Sequence, residues 1–227
     1  NATTLATMTL TVAALVIQAA PAATITHQLD ATSGNTDNAG SPAVTVNDLT
    51  TLPTASLSGS STATISVSGS FDSTIVGAGD SYSFTATSYD ASSFDTSTSN
   101  ITSFVDLEKI ATRENYGWGE GGSFSDIQAT EAVVLTFDLS GLPNGVFLRL
   151  TAAVVTHWNA DPTAQIIANG RAHTSVSLAS LTRGQTATLS DLNFKIEDGD
   201  QLIFRGADSN PQFHGFYASS FTVEALI

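Results

Sequence analysis

The chain has 227 residues, which is the size of one large domain or two small ones. Its 7 Lys and Arg residues against 21 Asp and Glu residues give a net charge of −14, which excludes nucleic-acid binding through a basic surface. Hydrophobic residues make up 41%, enough for a core, while the absence of Cys excludes disulfides, thiolate metal sites and a Cys nucleophile.

The first 25 residues form an apolar segment that is open to three interpretations. Residues 1–29 carry no charge, and residues 5–25 read LATMTLTVAALVIQAAPAATI. The run ending at Ala22 and Ala23 is typical of a signal-peptide hydrophobic region with small residues at a cleavage site, although residues 1–4 carry no positive charge. A membrane-spanning helix is the second interpretation, which Pro21 and the frequent Thr residues disfavour. The third is a β-strand, because residues 8–12 alternate and β-branched residues are common.

The next elements are β-strands separated by polar loops. Residues 23–29 alternate and predict a strand, and Gly, Asn, Asp and Pro mark residues 33–42 as a loop. Residues 62–68 and 80–88 alternate in the same way, with Tyr82, Phe84 and Ala86 on one face of the second strand. Residues 101–110 are ambiguous between a strand and a short helix, and the glycine-dense residues 116–123 predict a loop.

The second half of the chain predicts a dense series of strands. A strong strand at 132–139 ends at a Gly- and Pro-containing turn, and we expect residues 146–156 to return as its antiparallel partner. Five further strands and a final one follow, at residues 164–168, 172–178, 185–189, 192–196, 201–205 and 220–226.

Many short strands with Gly, Asn and Asp turns, and no sustained helical period, predict an all-β fold. We expect an antiparallel, jelly-roll-like β-sandwich over residues 26–227, preceded by the apolar extension of residues 1–25.

Three segments of the second half resemble sequences found in a known protein family. They are EAVVLTFDLSGLPNG (131–145), IEDGDQLIFRGAD (196–208) and SSFTVEALI (219–227). In these segments the chain resembles the ectodomains of bacterial PEP-CTERM exoproteins, although the Pro-Glu-Pro sorting signal itself is not among residues 1–227. The resemblance implies a secreted bacterial β-sandwich in a matrix rich in exopolysaccharide. It implies no catalytic residues.

The sequence favours a protein without enzymatic activity. No Gly-x-Ser-x-Gly nucleophile elbow occurs, and four histidines among many serines are not a triad signal. Glu114, Glu120, Asp126 and Glu131 supply the carboxylates that glycoside hydrolysis needs, but their plainer interpretation is a solvated acidic loop.

Two kinds of ligand site remain as candidates. Calcium takes carboxylate oxygens, so Asp198 and Asp200 are the candidate metal ligands and calcium is the only cofactor we consider. The simpler interpretation of this stretch is a tight turn with Gly199 at positive φ. Tyr116, Trp118 and Trp158 are the candidate glycan-binding residues, because exposed aromatic rings stack on sugars; core filling is the alternative.

Self-assembly is the function that the sequence favours most. A charge-poor surface rich in Ser and Thr is typical of extracellular proteins, and we expect the protein at the bacterial surface or outside the cell. An apolar, β-branched segment before an all-β domain can insert into the sheet of a neighbouring copy, and head-to-tail contacts of this kind give filaments. The candidate assembly residues are Leu10, Val12, Leu15, Val16 and Ile17. We therefore expect a secreted structural subunit whose partners are copies of itself; the alternative is a carbohydrate-binding module that binds extracellular polysaccharide.

Overall fold

The computed structural model describes about three-fifths of the chain and is all-β there. The described residues are 24–29, 54–57, 62–70, 78–90, 106–108, 110–113, 116–120, 126–128, 131–160, 162–168, 172–207 and 215–227. They contain no helix, and hence none that is long and apolar enough to cross a membrane. Their strands are β1 (Thr24–Gln28), β2 (Thr54–Leu57), β3 (Thr62–Ser70), β4 (Ala78–Asp90), β5 (Asp106–Glu108), β6 (Ile110–Arg113), β7 (Gly117–Glu120), β8 (Glu131–Asp138), β9 (Phe147–Asn159), β10 (Thr163–Ala168), β11 (Ala172–Ser177), β12 (Thr186–Leu189), β13 (Phe194–Ile196), β14 (Gln201–Gly206) and β15 (Gly215–Leu226).

The strands form two antiparallel sheets. The first sheet has seven strands in the order β12-β9-β15-β7-β6, with β1 also paired to β15 and β13 to β9. The second sheet has eight strands in the order β11-β10-β14-β8-β4-β3-β2, with β5 also paired to β4. The predicted all-β fold of antiparallel sheets is confirmed.

The core lies between the facing sides of the two sheets. Phe84 and Phe137 of the second sheet meet Phe221 of the first, with ring centroids 5.4 Å and 6.1 Å from that of Phe221. The predicted inward face of β4 is confirmed, because Tyr82, Phe84 and Ala86 are all buried. Two layers that interdigitate large side chains in this way define a β-sandwich.

The second sheet also carries a buried apolar row on its outer side. Val134, Ile203 and Ile167 are register partners on β8, β14 and β10, and their chain neighbours Val133, Phe204 and Ile166 belong to the core between the sheets. Side chains alternate along a strand, so this row faces away from that core, yet all three are at most 1% exposed. Burial on both faces explains why residues 132–135 and 202–204 are continuously apolar.

The predicted hairpin between residues 132–139 and 146–156 is wrong. β8 pairs with β4 and β14 in the second sheet, whereas β9 pairs with β12, β13 and β15 in the first. The connecting turn buries Leu139 and Leu142 in the core and is tied to β4 by a hydrogen bond from Ser81 N to Gly141 O (3.1 Å). The connection therefore arches from one sheet to the other, because its two leucines are buried between the layers.

The predicted loop at residues 116–123 is also wrong in part, since Gly117–Glu120 is strand β7. Its Trp118 is a register partner of Ala218 on β15. Glycine masked the strand signal here: Gly117 has φ +124°, and a Cβ on it would lie 2.1 Å from the Ala218 carbonyl oxygen. A side chain is excluded by the close approach of the two backbones, so this glycine belongs to a strand and not to a loop.

Candidate functional site

The N-terminal strand β1 occupies an edge of the first sheet and contributes to the core. Its five residues pair with β15 in the register Thr24–Glu224 to Gln28–Ser220, and no other described strand pairs with it. The predicted strand over residues 23–29 is confirmed. Ile25, His27 and Leu29 are fully buried, while Thr26 lies on the outer face with its hydroxyl oxygen 3.0 Å from that of Thr222.

His27 is the polar centre of this packing. Its Nε2 lies 2.6 Å from the Tyr82 hydroxyl of β4 in a buried hydrogen bond. Its ring stacks on Phe221 of β15 (centroids 4.6 Å apart) and meets the edge of Phe84 at 5.1 Å. Burial lowers the pKa of His27 from 6.5 to about 3, because the imidazolium would be surrounded by aromatic rings without water. His27 is therefore neutral in the folded protein and bridges the two sheets.

The predicted assembly residues all precede β1 in the chain. Leu10, Val12, Leu15, Val16 and Ile17 lie outside the described residues, as does the rest of residues 1–23. Of the predicted N-terminal extension, only Thr24 and Ile25 are described, and both belong to β1. The apolar segment thus leads directly into an edge strand of the sandwich.

The predicted glycan-binding residues separate into two environments. Trp118 is fully buried and belongs to the hydrophobic core, so it offers no face to a sugar and its assignment is wrong. Tyr116 and Trp158 do come together, in an edge-to-face contact with centroids 4.9 Å apart. Buried Tyr217 joins them, 5.6 Å from Trp158 and 5.9 Å from Tyr116. We call Tyr116, Trp158 and Tyr217 the aromatic cluster.

A tight turn places an arginine on the aromatic cluster. The Arg183 guanidinium carbon lies 3.3 Å from the centroid of the Trp158 ring, and Arg183 itself is exposed. The turn is fixed to the end of β9 by hydrogen bonds from Gly184 N to His157 O and from His157 N to Gln185 O, both 2.9 Å. Trp158 is only 7% exposed, so the solvent-facing parts of this region are Arg183 and half-buried Tyr116.

The predicted calcium ligands Asp198 and Asp200 bind the backbone of a turn. Asp198 Oδ1 accepts a hydrogen bond from Leu139 N (2.7 Å), and Asp200 Oδ2 accepts one from Glu197 N (2.6 Å). Gly199 has φ +79°, as the turn interpretation predicts. Among the residues that the structure describes, no three His, Asp or Glu side chains come close enough to hold a metal ion. These contacts account for both carboxylates as turn-stabilising groups.

We expect Asp198→Ala to lower Tm by roughly 2–4 °C, because Leu139 N loses its acceptor. Thermal melts in excess calcium and in chelator would measure the loss, with Asp191→Asn as a control that removes a carboxylate from another exposed turn. The same drop in both buffers is the expected result. A wild-type Tm that rises with calcium, and a variant Tm that does not, would instead identify a calcium site.

The sequence alone did not single out two residues that are central to these candidate sites. In the sequence His27 is one of four ordinary histidines, and Arg183 carries no signal of its own. The alternation of residues 23–29 does place His27 on the apolar face with Ile25 and Leu29, which is a usable signal. Arg183 and Trp158 are 25 positions apart, and no local pattern connects them.

The prediction that Asp126 belongs to a solvated acidic loop is wrong. This residue is 1% exposed and lies beside Gly215, where a Cβ would be 1.6 Å from Asp126 Oδ2. Its carboxylate is therefore enclosed by the end of β15 and not available as part of an open acidic surface.

No protein-family model, curated protein or solved structure matches this chain. The likeness to PEP-CTERM ectodomains thus stays a prediction.

Proposed function

We propose that the protein is a secreted structural subunit of the bacterial surface or extracellular matrix, which assembles into filaments through its N-terminal strand. The observation that carries the proposal is the position of β1, an edge strand that follows the apolar segment and packs Ile25 and His27 into the core, with Leu29 buried directly after it. A strand held by one neighbour can be supplied by another copy with the same hydrogen bonds and contacts. Each copy then donates one strand and accepts one, which generates an open filament.

The low density of charge favours the same role. Charged residues are 12% of the chain, and the exposed strand positions described on β11 and β12 are Ser and Thr. Such surfaces approach one another with little charge desolvation, although the net charge of −14 opposes association at low salt. We therefore expect assembly to be favoured by moderate salt.

Negative-stain electron microscopy and sedimentation of the purified full chain test this proposal. Regular filaments that pellet more completely at moderate than at low salt are the expected result. Dispersed particles of monomer size under all salt conditions would overturn it.

The aromatic cluster supports a second candidate function, binding of an acidic extracellular polysaccharide. Arg183 is stacked on Trp158, and no carboxylate among the described side chains forms an ion pair with it. Lys195 offers a contrast, because it lies 4.6 Å from the Phe147 ring centroid but pairs with Glu197 at 2.6 Å. Arg183 thus keeps its in-plane N–H donors for a carboxylate, and Tyr116 lies beside it for the sugar ring.

We expect Arg183→Gln to weaken binding to a uronate-containing polysaccharide about tenfold, because a charge-assisted hydrogen bond is lost. Affinity gel electrophoresis would measure the retention. Lys195→Gln is the matched control, since it also removes a ring-stacked cation, and it should leave retention unchanged. Equal retention of the wild type and both variants would contradict this second function.

A further inference from the structure

The surface that β1 covers is built to receive a strand of this kind. Without β1, the rings of Tyr82, Phe84 and Phe221 lose the side chain that fills the space between them, and the β15 backbone from Ser220 to Glu224 loses its paired partner on that side. An apolar cleft next to an open sheet edge is a strong site for strand addition. A folded copy therefore needs this groove filled by some β1.

The chain is long enough for β1 to reach either its own groove or that of a neighbour. Residues 30–53 separate Leu29 from β2. Twenty-four residues span up to about 80 Å when extended. A domain of this size has a diameter of about 40 Å, from a radius of gyration of about 16 Å with the usual scaling. Covalent connection therefore does not confine β1 to its own sandwich.

The groove is selective for β1 and its register. The Tyr82 hydroxyl is buried with His27 Nε2 at 2.6 Å, so a strand with an apolar residue at this position would leave a buried hydroxyl without that partner. A shift by one residue would turn Ile25, His27 and Leu29 to the outer face and bring Thr26 to the core. The strand that fits is the β1 sequence itself, which points to a second copy of this chain as the donor.

We infer that the segment exchanged between copies is Thr24–Gln28, anchored by His27 in the groove formed by β15 and β4 of the acceptor. This inference rests on the proposed function and deepens it, because it identifies which residues form the filament joint. The contacts are identical whether β1 comes from the same chain or from another, so exchange costs few contacts and is favoured at high subunit concentration.

Single-cysteine variants test the exchange, because the chain has no cysteine of its own. Thr26 and Thr222 are register partners with hydroxyl oxygens 3.0 Å apart on the outer face, a separation compatible with a disulfide. Filaments are assembled from an equal mixture of Thr26→Cys chains and Thr222→Cys chains, oxidised, and analysed on a non-reducing gel. Exchange predicts covalent dimers that join one chain of each kind. Pairing within one chain predicts no dimers.

Two controls make each outcome decisive. The Thr26→Cys/Thr222→Cys double variant should give a ladder of covalent multimers under exchange, whereas a monomer with an internal disulfide would overturn the inference. Arg149→Cys and Glu224→Cys form the matched pair, since these residues are partners on β9 and β15 of one chain and their mixture should give no dimers. Filaments in which the Thr26→Cys and Thr222→Cys chains stay unlinked would overturn the exchange of β1 and leave only a filament-forming structural subunit joined in another way. The absence of filaments from the wild type would overturn the proposed function.

Discussion

Acid is expected to weaken the folded protein through His27. Its pKa is about 3 in the folded state and 6.5 when β1 is solvated, so below pH 6.5 the unfolded chain binds a proton that the folded chain excludes. The free energy of unfolding should therefore fall as the pH falls from about 6.5 towards 3. The loss attributable to this one residue is about 3 kcal/mol near pH 4, by the usual 1.36 kcal/mol per pKa unit. Urea titrations at a series of pH values, followed by the fluorescence of the two buried tryptophans, would measure it.

A double variant isolates this contribution from the carboxylates, which also titrate in this range. His27→Phe combined with Tyr82→Phe removes both partners of the buried hydrogen bond and keeps aromatic rings against Phe84 and Phe221. Replacing both partners removes this hydrogen bond without leaving either of its two polar groups unpaired. The slope of stability against pH between 6.5 and 4 should be shallower than in the wild type. Equal slopes would show that the pKa of His27 does not rise when the protein unfolds.

The second large effect is expected at Gly117. Alanine there must adopt φ +124° and place its Cβ 2.1 Å from the Ala218 carbonyl oxygen and 2.8 Å from Ser219 Cα, all of which are backbone contacts. Neither strand can relieve the overlap by a rotamer change, so β7 must separate from β15. We expect Gly117→Ala to cost about 3 kcal/mol or more in the free energy of unfolding. Urea titration at neutral pH would measure this loss.

Gly145→Ala is the control that separates steric overlap from backbone conformation. Gly145 also has positive φ, +87°, but nothing lies within 4 Å of where its Cβ would be. Gly145→Ala should lower the free energy of unfolding by only about 1–2 kcal/mol, the usual penalty for a side chain in the left-handed region. If both variants lost the same stability, the close approach of β7 to β15 would not be a determinant of the fold.

The all-β fold could be predicted because alternation is a local property. In β4, every second residue from Tyr82 to Ala86 is apolar, and these residues are buried. Sheet membership is not local. β8 and β9 are joined by a short turn of the kind that makes hairpins, yet they enter different sheets because Leu139 and Leu142 are drawn into the core. No pattern within residues 132–156 distinguishes these two outcomes.

The candidate sites also depend on long-range packing, which local sequence patterns do not reveal. Trp118 lies among glycines and Trp158 among polar residues in the sequence. Neither context shows that tertiary packing makes Trp118 a core residue and Trp158 the base for Arg183. The Asp198–Asp200 stretch was predictable as a turn because Gly199 between two aspartates is a local signal. The hydrogen bonds from backbone amides to the two carboxylates were not predictable, because the amide that Asp198 binds belongs to Leu139, 59 positions away in the chain.

The pairing of β1 with β15 has a consequence for the order of events during synthesis. Thr26 and Thr222 are 196 positions apart, so the strand made first forms its sheet contact with the strand made last. At translation rates of about 5–20 residues per second, β1 waits about 10–40 seconds for its partner. Throughout that interval the chain's own β15 edge does not yet exist. The pairing that completes this edge of the first sheet can therefore form only after almost the whole chain has been synthesised.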